Sequence, residues 1–213
     1  MARHRHARLM RSAATTDDGG DAFDTHVIAC VLSVGLDEVE RGLVTLCEAT
    51  GLDAATLDGL LASRFPSFPR ATLPPVATVG PPLEIEEEML RDLLIEHAAT
   101  ALAPVLATMI ARRALRPDHL WQDLGLFDRA ELGRLLARHF TTLHAGNTAN
   151  MRWKKYFYRK LCEAEGFSLC SAPSCAQCDD FRDCFGAEDG ESRMAERRRE
   201  IDRAETAAAF AAE

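Results

Sequence analysis

Residues 170–184 read CSAPSCAQCDDFRDC and hold four of the chain's seven cysteines: Cys170, Cys175, Cys178 and Cys184. The spacing is C-x4-C-x2-C-x5-C. These separations are too short for each pair to belong to a different structural element. A segment rich in Pro, Ser and Asp can turn back on itself and aim several sulfurs at one centre. Three chemistries fit such a loop. Tetrahedral zinc accepts four thiolates, but zinc modules usually use two close pairs, and here only Cys175 and Cys178 are close. An iron–sulfur cluster has a larger core and tolerates ligands strung around one loop, as in bacterial ferredoxins. A dithiol redox motif would need its CxxC at a helix start beside a strand, and no strand pattern precedes this one. The spacing gives a cluster the edge over zinc and does not say which metals the cluster holds.

The neighbouring residues bear on the same question. On the preceding helix Arg152, Lys155 and Arg159 fall on one predicted stripe, with Cys162 beside it. Positive charge there would stabilise an anionic thiolate cluster, or an oxyanion such as molybdate, and lower thiol pKa values. The plainer readings are a solvated face, or an RNA contact beside a zinc knuckle. Asp179, Asp180 and Asp183 offer hard oxygen donors suited to a high-valent metal, although aspartates in such a loop are ordinarily turn residues.

The bulk composition narrows the classes. The chain has 213 residues, 47% hydrophobic and 27% charged, which suits a globular protein with one sizeable core. A net charge of −8 argues against non-specific nucleic-acid binding. The start, MARHRHARLMRSAATTDDGGD, never reaches the apolar core of a secretory signal. The longest uncharged stretch, Ala98 to Ala111, contains Pro104 and is too short to span a bilayer. The expectation is a cytoplasmic protein without membrane association, in which clustered cysteines mean metal or redox chemistry before disulfides. Cys30 and Cys47 fall on apolar helical faces and read as packing residues.

The elements that must position the loop read as helices. Residues 1–22 read as a disordered tail. Residues 23–65 form an N-terminal helical region with Val27, Val31, Val34, Val39, Leu43 and Leu46 at helical spacing, broken at Gly35. Asp53 caps a following helix bearing Leu57, Leu60 and Leu61, which Pro66 ends. Residues 66–82 are a Pro-rich linker or surface wrap. Residues 83–166 are helical again. Asp128 and Glu131 resemble a capping box before Leu132, Leu135, Leu136 and Phe140, and Asn147 caps the helix that runs to Gly166. The cysteine loop occupies 167–186, and a charged helix or tail occupies 187–213. No alternating strand is visible. The expected fold class is therefore all-α: a helical bundle with a long Pro-rich connection and a C-terminal Cys-rich metal-cluster loop.

Taken together, the segment LWQDLGL, the helix NMRWKKYFYRKLC and the closing C-x4-C-x2-C-x5-C resemble the NifQ family, and FDTHVIACVLSVGLDE is similar to that family's N-terminal helix. The resemblance implies a molybdenum-handling protein of nitrogenase iron–molybdenum cofactor assembly, carrying a molybdenum–iron–sulfur cluster on Cys170, Cys175, Cys178 and Cys184. It also implies donation of molybdenum to the NifEN scaffold and the nitrogenase iron protein. Thiolates grip iron, whereas molybdenum prefers a mixed donor set. A donor would hold its molybdenum corner loosely, through Cys184, Cys162 or one of His119, His139 and His144. No nucleophile–base motif or phosphate-binding glycine loop is present, so the expectation is a carrier and not an enzyme. The alternative is a helical adaptor or RNA-binding protein with a structural zinc knuckle.

Overall fold

Residues 2–11, read above as tail, form the first helix. The computed structural model describes residues 2–15, 19–69 and 84–164. Helix α1 (Ala2–Arg11) has little apolar content, and it is held by what it meets. Leu9 is fully buried, Arg5 pairs with Asp37 at 2.7 Å and with Glu40, and His6 meets His26. A basic segment folds here because acids far along the chain receive it.

Those acids stand on α2 (Gly19–Glu40), the central helix. Val27, Ile28, Ala29, Cys30, Val31 and Leu32 are all buried, so this stretch is covered on every side rather than along one stripe. Gly35 was expected to break it, yet the helix runs through. A Cβ at Gly35 would lie 3.1 Å from both Ala49 and Leu46 of α3 (Leu46–Thr50). The glycine is there to let a second helix approach. Val34 and Val39 are half-buried and Leu43 is exposed, because α2 ends at Glu40 and the chain turns.

Local signals fix the shorter helices. In α3 Thr45 and Glu48 cap each other: the Thr45 hydroxyl accepts from Glu48 N–H, and the Glu48 carboxylate accepts from Thr45 N–H. Helix α4 (Ala54–Arg64) begins at Asp53, which accepts from Thr56 N–H at 2.8 Å. After residues 70–83, outside the described residues, come α5 (Ile85–Glu96) and α6 (Ala103–Ala114), which pack on each other. Pro104 sits in the first turn of α6, where its missing N–H costs nothing. Arg113, buried near the end of α6, ties three elements together. It bonds Glu38 of α2 at 2.9 and 3.0 Å, and its Nε donates to the Asp123 carbonyl at 2.6 Å.

Asp123 ends α7 (Leu120–Asp123), and the turn after it contains Gly125 at φ +73°. A Cβ there would lie 2.7 Å from the Cys30 carbonyl oxygen and 2.5 Å from Val34 Cγ2. The LWQDLGL segment thus brings its backbone onto α2, which only glycine permits. Helices α8 (Arg129–His139), α9 (Thr141–Gly146) and α10 (Trp153–Ala164) follow. Leu132, Leu135, Leu136 and Phe140 form the buried stripe expected of them. The capping box at Asp128 is only half made: Asp128 accepts from Glu131 N–H at 2.9 Å, while the Glu131 carboxylate is used elsewhere. No strand occurs among the described residues, and the fold is all-α. No helix among them is long and apolar enough to cross a membrane.

Candidate functional site

Cys170, Cys175, Cys178 and Cys184 lie outside the described residues, as do Asp179, Asp180 and Asp183. The structure does show how the helix that leads to them is held. Trp153, Tyr156 and Phe157 are buried along α10, which packs against α5. Lys154 reaches back to the buried Asp123 carboxylate and to the Arg116 carbonyl. Ahead of the helix, Asn147 was expected to act as its N-cap. Instead its side chain brackets Met151, accepting from the Met151 N–H at 2.8 Å and donating to its carbonyl at 2.9 Å. The bend puts Asn150 at φ 53°, where Arg129 bonds its carbonyl and side chain. α10 therefore starts at Trp153, later than its sequence suggests.

The predicted cationic stripe is thinner than expected. Arg152 precedes the helix and is buried. Lys155 is exposed, and Arg159 is engaged with Glu163 at 2.9 Å. Cys162 is half-buried on the last described turns of α10.

The three histidines nominated with it have different settings. His139 is fully buried, with Nε2 2.9 Å from Asp24 Oδ1 and Nδ1 2.6 Å from the Thr100 hydroxyl. Both ring nitrogens are used in holding the bundle, and binding a metal through either would break one of these bonds. His144 stacks on Trp153, ring centroids 5.5 Å apart, and helps seat α10. His119 opens α7, its backbone N–H donating to Gln122.

A different constellation does come together. His6 of α1, and His26 and Cys30 of α2, place one potential ligand atom each within 4.8 Å of one another. His6 Nε2 lies 2.9 Å from His26 Nδ1, and Cys30 Sγ is 4.0 Å from that same nitrogen. The other nitrogen, His26 Nε2, is 3.1 Å from Glu131 Oε1 of α8. Glu131 is itself fixed, since its Oε2 accepts from Phe127 N–H at 2.7 Å. The Phe127 ring meets both imidazoles edge-on, at centroid distances of 5.1 and 5.0 Å.

The electrostatics follow from depth. Burial, reinforced by Glu131, pushes the Cys30 thiol up to about 12. Burial and then His26 hold His6 below its ordinary value, with Glu131 pulling weakly the other way. His6 and Cys30 are thus both held toward their neutral forms. Sequence reading missed this site: Cys30 passed for a packing residue, and His6 lay in the supposed tail. The signal available was His26-x3-Cys30 at helical spacing in FDTHVIACVL. The partner His6 becomes visible only once α1 is a helix.

The NifQ family model matches residues 27–186 of this chain. Over 177 residues the chain is 55% identical to the Protein NifQ homolog of Sinorhizobium fredii (strain NBRC 101917 / NGR234), covering 80% of this chain and 75% of that protein. It is 38% identical over 168 residues to Protein NifQ of Rhodobacter capsulatus, covering 78% of this chain and 92% of that protein. A shorter segment of 83 residues is 51% identical to Protein NifQ of Azotobacter vinelandii, covering 39% of this chain and 43% of that protein. No solved structure matches.

Proposed function

The chain belongs to the NifQ family, and from that premise we propose that it carries molybdenum in a molybdenum–iron–sulfur cluster and donates it for assembly of the nitrogenase iron–molybdenum cofactor. The observation that carries this reading is the cysteine run. All four of Cys170, Cys175, Cys178 and Cys184 fall inside the matched span 27–186, at a spacing suited to one shared inorganic core. Thiolates supply soft, anionic donors that hold iron strongly. The cluster is cargo in this reading, and the chain is a carrier and not an enzyme. Molybdate is the source of the metal, and the NifEN scaffold and nitrogenase iron protein are the receiving partners.

Release requires one weak ligand at the molybdenum corner. Cys184 and Cys162 are the ones we favour. Cys162 is half-buried at the end of a helix anchored through Lys154, Trp153 and Phe157. His139 is the poorest choice, because both its nitrogens already serve Asp24 and Thr100.

The test is elemental analysis of the full chain purified without oxygen, followed by incubation with an acceptor scaffold. The expected protein is brown, contains molybdenum, iron and sulfide, and loses molybdenum to the scaffold. Single Cys→Ala changes at the motif should lower iron content, while a change at the weak ligand should lower the Mo:Fe ratio first. Colourless protein with one equivalent of zinc would overturn the reading in favour of a zinc-knuckle adaptor. Iron and sulfide without molybdenum would reduce it to an iron–sulfur redox carrier.

A further inference from the structure

We propose that His6, His26 and Cys30 form a binding site for a borderline divalent transition-metal ion of the zinc class, using none of the motif cysteines. His26 and Cys30 stand one helical turn apart on α2, so both project from one face. His6 arrives from α1 and completes a set of two imidazoles and one thiol, all within 4.8 Å. Ligand atoms around a tetrahedral zinc lie about 3.4 Å from one another. The observed separations from His26 Nδ1, 2.9 Å to His6 and 4.0 Å to Cys30, bracket that value. Small side-chain rotations would close the site. Two nitrogens and a sulfur suit zinc, cobalt or iron(II), and do not suit magnesium or calcium.

The surrounding residues supply what a ligating histidine needs. His26 gives its Nε2 to Glu131, and this turns Nδ1 toward His6, while Cys30 Sγ lies beside the ring, 4.0 Å from Nδ1 and 3.7 Å from Nε2. A carboxylate behind a histidine is the usual second layer of a metal site: it fixes the tautomer and raises ligand basicity. Glu131 has been drawn away from the capping box its position would favour, and it is steadied by Phe127 N–H. Without metal, the His26 Nε2 proton lies toward Glu131, so His6 Nε2–H donates to His26 Nδ1. On binding, the His6 proton moves to its own Nδ1, the thiol of Cys30 loses its proton to solvent, and both vacated donors turn to the ion. A dication beside one thiolate and one nearby carboxylate leaves no net charge, which a half-buried site tolerates. Three protein ligands leave the fourth tetrahedral position for a water molecule. The ion would bind α1 to α2 and, through Glu131, to α8.

The same geometry without metal would be a hydrogen-bonded helix contact, and the two differ in a measurable way. The probe is cobalt(II), added without oxygen to the full chain in which the four motif cysteines are changed to serine and bound metal has been stripped. That background makes the result independent of the cluster reading. One equivalent should bind, with a near-ultraviolet thiolate-to-cobalt charge-transfer band that zinc(II) displaces. Cys30→Ser should abolish the band. His6→Gln or His26→Gln should weaken binding at least tenfold, and Glu131→Gln should keep the band while weakening binding by about 10–100-fold. Far-ultraviolet circular dichroism on each variant confirms that the helices persist. Should Cys30→Ser perturb folding, His6→Gln decides, because it lies on a peripheral helix. No stoichiometric binding, or a band that survives Cys30→Ser or is indifferent to His6→Gln, overturns the proposal.

Discussion

Asp24 Oδ1 of α2 lies 2.9 Å from His139 Nε2 of α8, and both side chains are buried. The same carboxylate accepts from Arg138 at 2.9 and 3.2 Å, while His139 Nδ1 meets Thr100 before α6. Three parts of the bundle thus meet at the His139 ring. Replacing Asp24 by Ala removes an acceptor and strands a buried imidazole, so the expected loss is about 3 kcal/mol of unfolding free energy. Asp24→Asn keeps one acceptor oxygen and should lose less than the alanine variant. Urea denaturation read by helical ellipticity measures both. Equal midpoints for wild type and Asp24→Ala would mean that this junction holds nothing.

Gly125 offers a sharper test of the LWQDLGL segment. Its φ of +73° disfavours any side chain, and a Cβ would strike the Cys30 carbonyl at 2.7 Å. That obstacle is backbone and cannot rotate away. Gly125→Ala should therefore cost about 3 kcal/mol, combining left-handed strain with overpacking. Gly133→Ala is the control, since nothing lies within 4 Å of the added carbon. It sits inside α8, where alanine is the better helix former, and should raise the urea midpoint slightly.

The contrast between these glycines shows which parts of the fold are readable without coordinates. Asp53 and the Leu132, Leu135, Leu136 and Phe140 stripe announce themselves because caps and amphipathic spacing are local, whereas the Thr45–Glu48 box hides beneath a longer apparent stripe. Gly35 misleads because its function is contact: the glycine that looks like a helix breaker is the place where α3 touches α2. Asn147 misleads similarly, since an Asn before a helical run is an ordinary cap signal, while here it brackets Met151. α1 is illegible for the opposite reason. Its polar residues have no internal pattern, and its partners Asp37, Glu40 and His26 lie far along the chain. For the site, the motif cysteines carry their own signal through spacing. His26 and Cys30 carry a fainter one, a single helical turn apart, and His6 gains its own only through packing.

His6 also makes the docking of α1 depend on pH. Burial and the neighbouring His26 lower its pKa in the folded state below the ordinary 6.5, against a weaker pull from Glu131. Between the folded value and 6.5 the unfolded chain binds the proton and the folded chain does not. Stability then rises with pH across that window, is complete above 6.5, and is lost as the solution is acidified. The unfolding midpoint of the metal-free protein should fall as pH drops below 6.5, and His6→Gln should flatten that part of the curve. A wild-type midpoint that climbs on acidification through the same range would contradict the sign.

Lys154 and Asp123 permit a test by double substitution. Asp123 is buried, and burial raises its pKa while Lys154 acts to lower it. Lys154→Met leaves a buried carboxylate without its ammonium partner, and the expected cost is about 3 kcal/mol. Burial then acts on Asp123 with less opposition. The folded protein should hold that proton to higher pH than the unfolded chain does, so the variant's stability should fall as pH rises above the ordinary 3.8. Adding Asp123→Asn removes the charge, and the double variant should recover most of the loss and lose the pH slope. Urea midpoints of the four proteins across pH form a closed cycle with a measurable coupling energy. If Lys154→Met and the double variant are equally unstable, α10 is held by Trp153, Tyr156 and Phe157 alone, and the ion pair merely accompanies that packing.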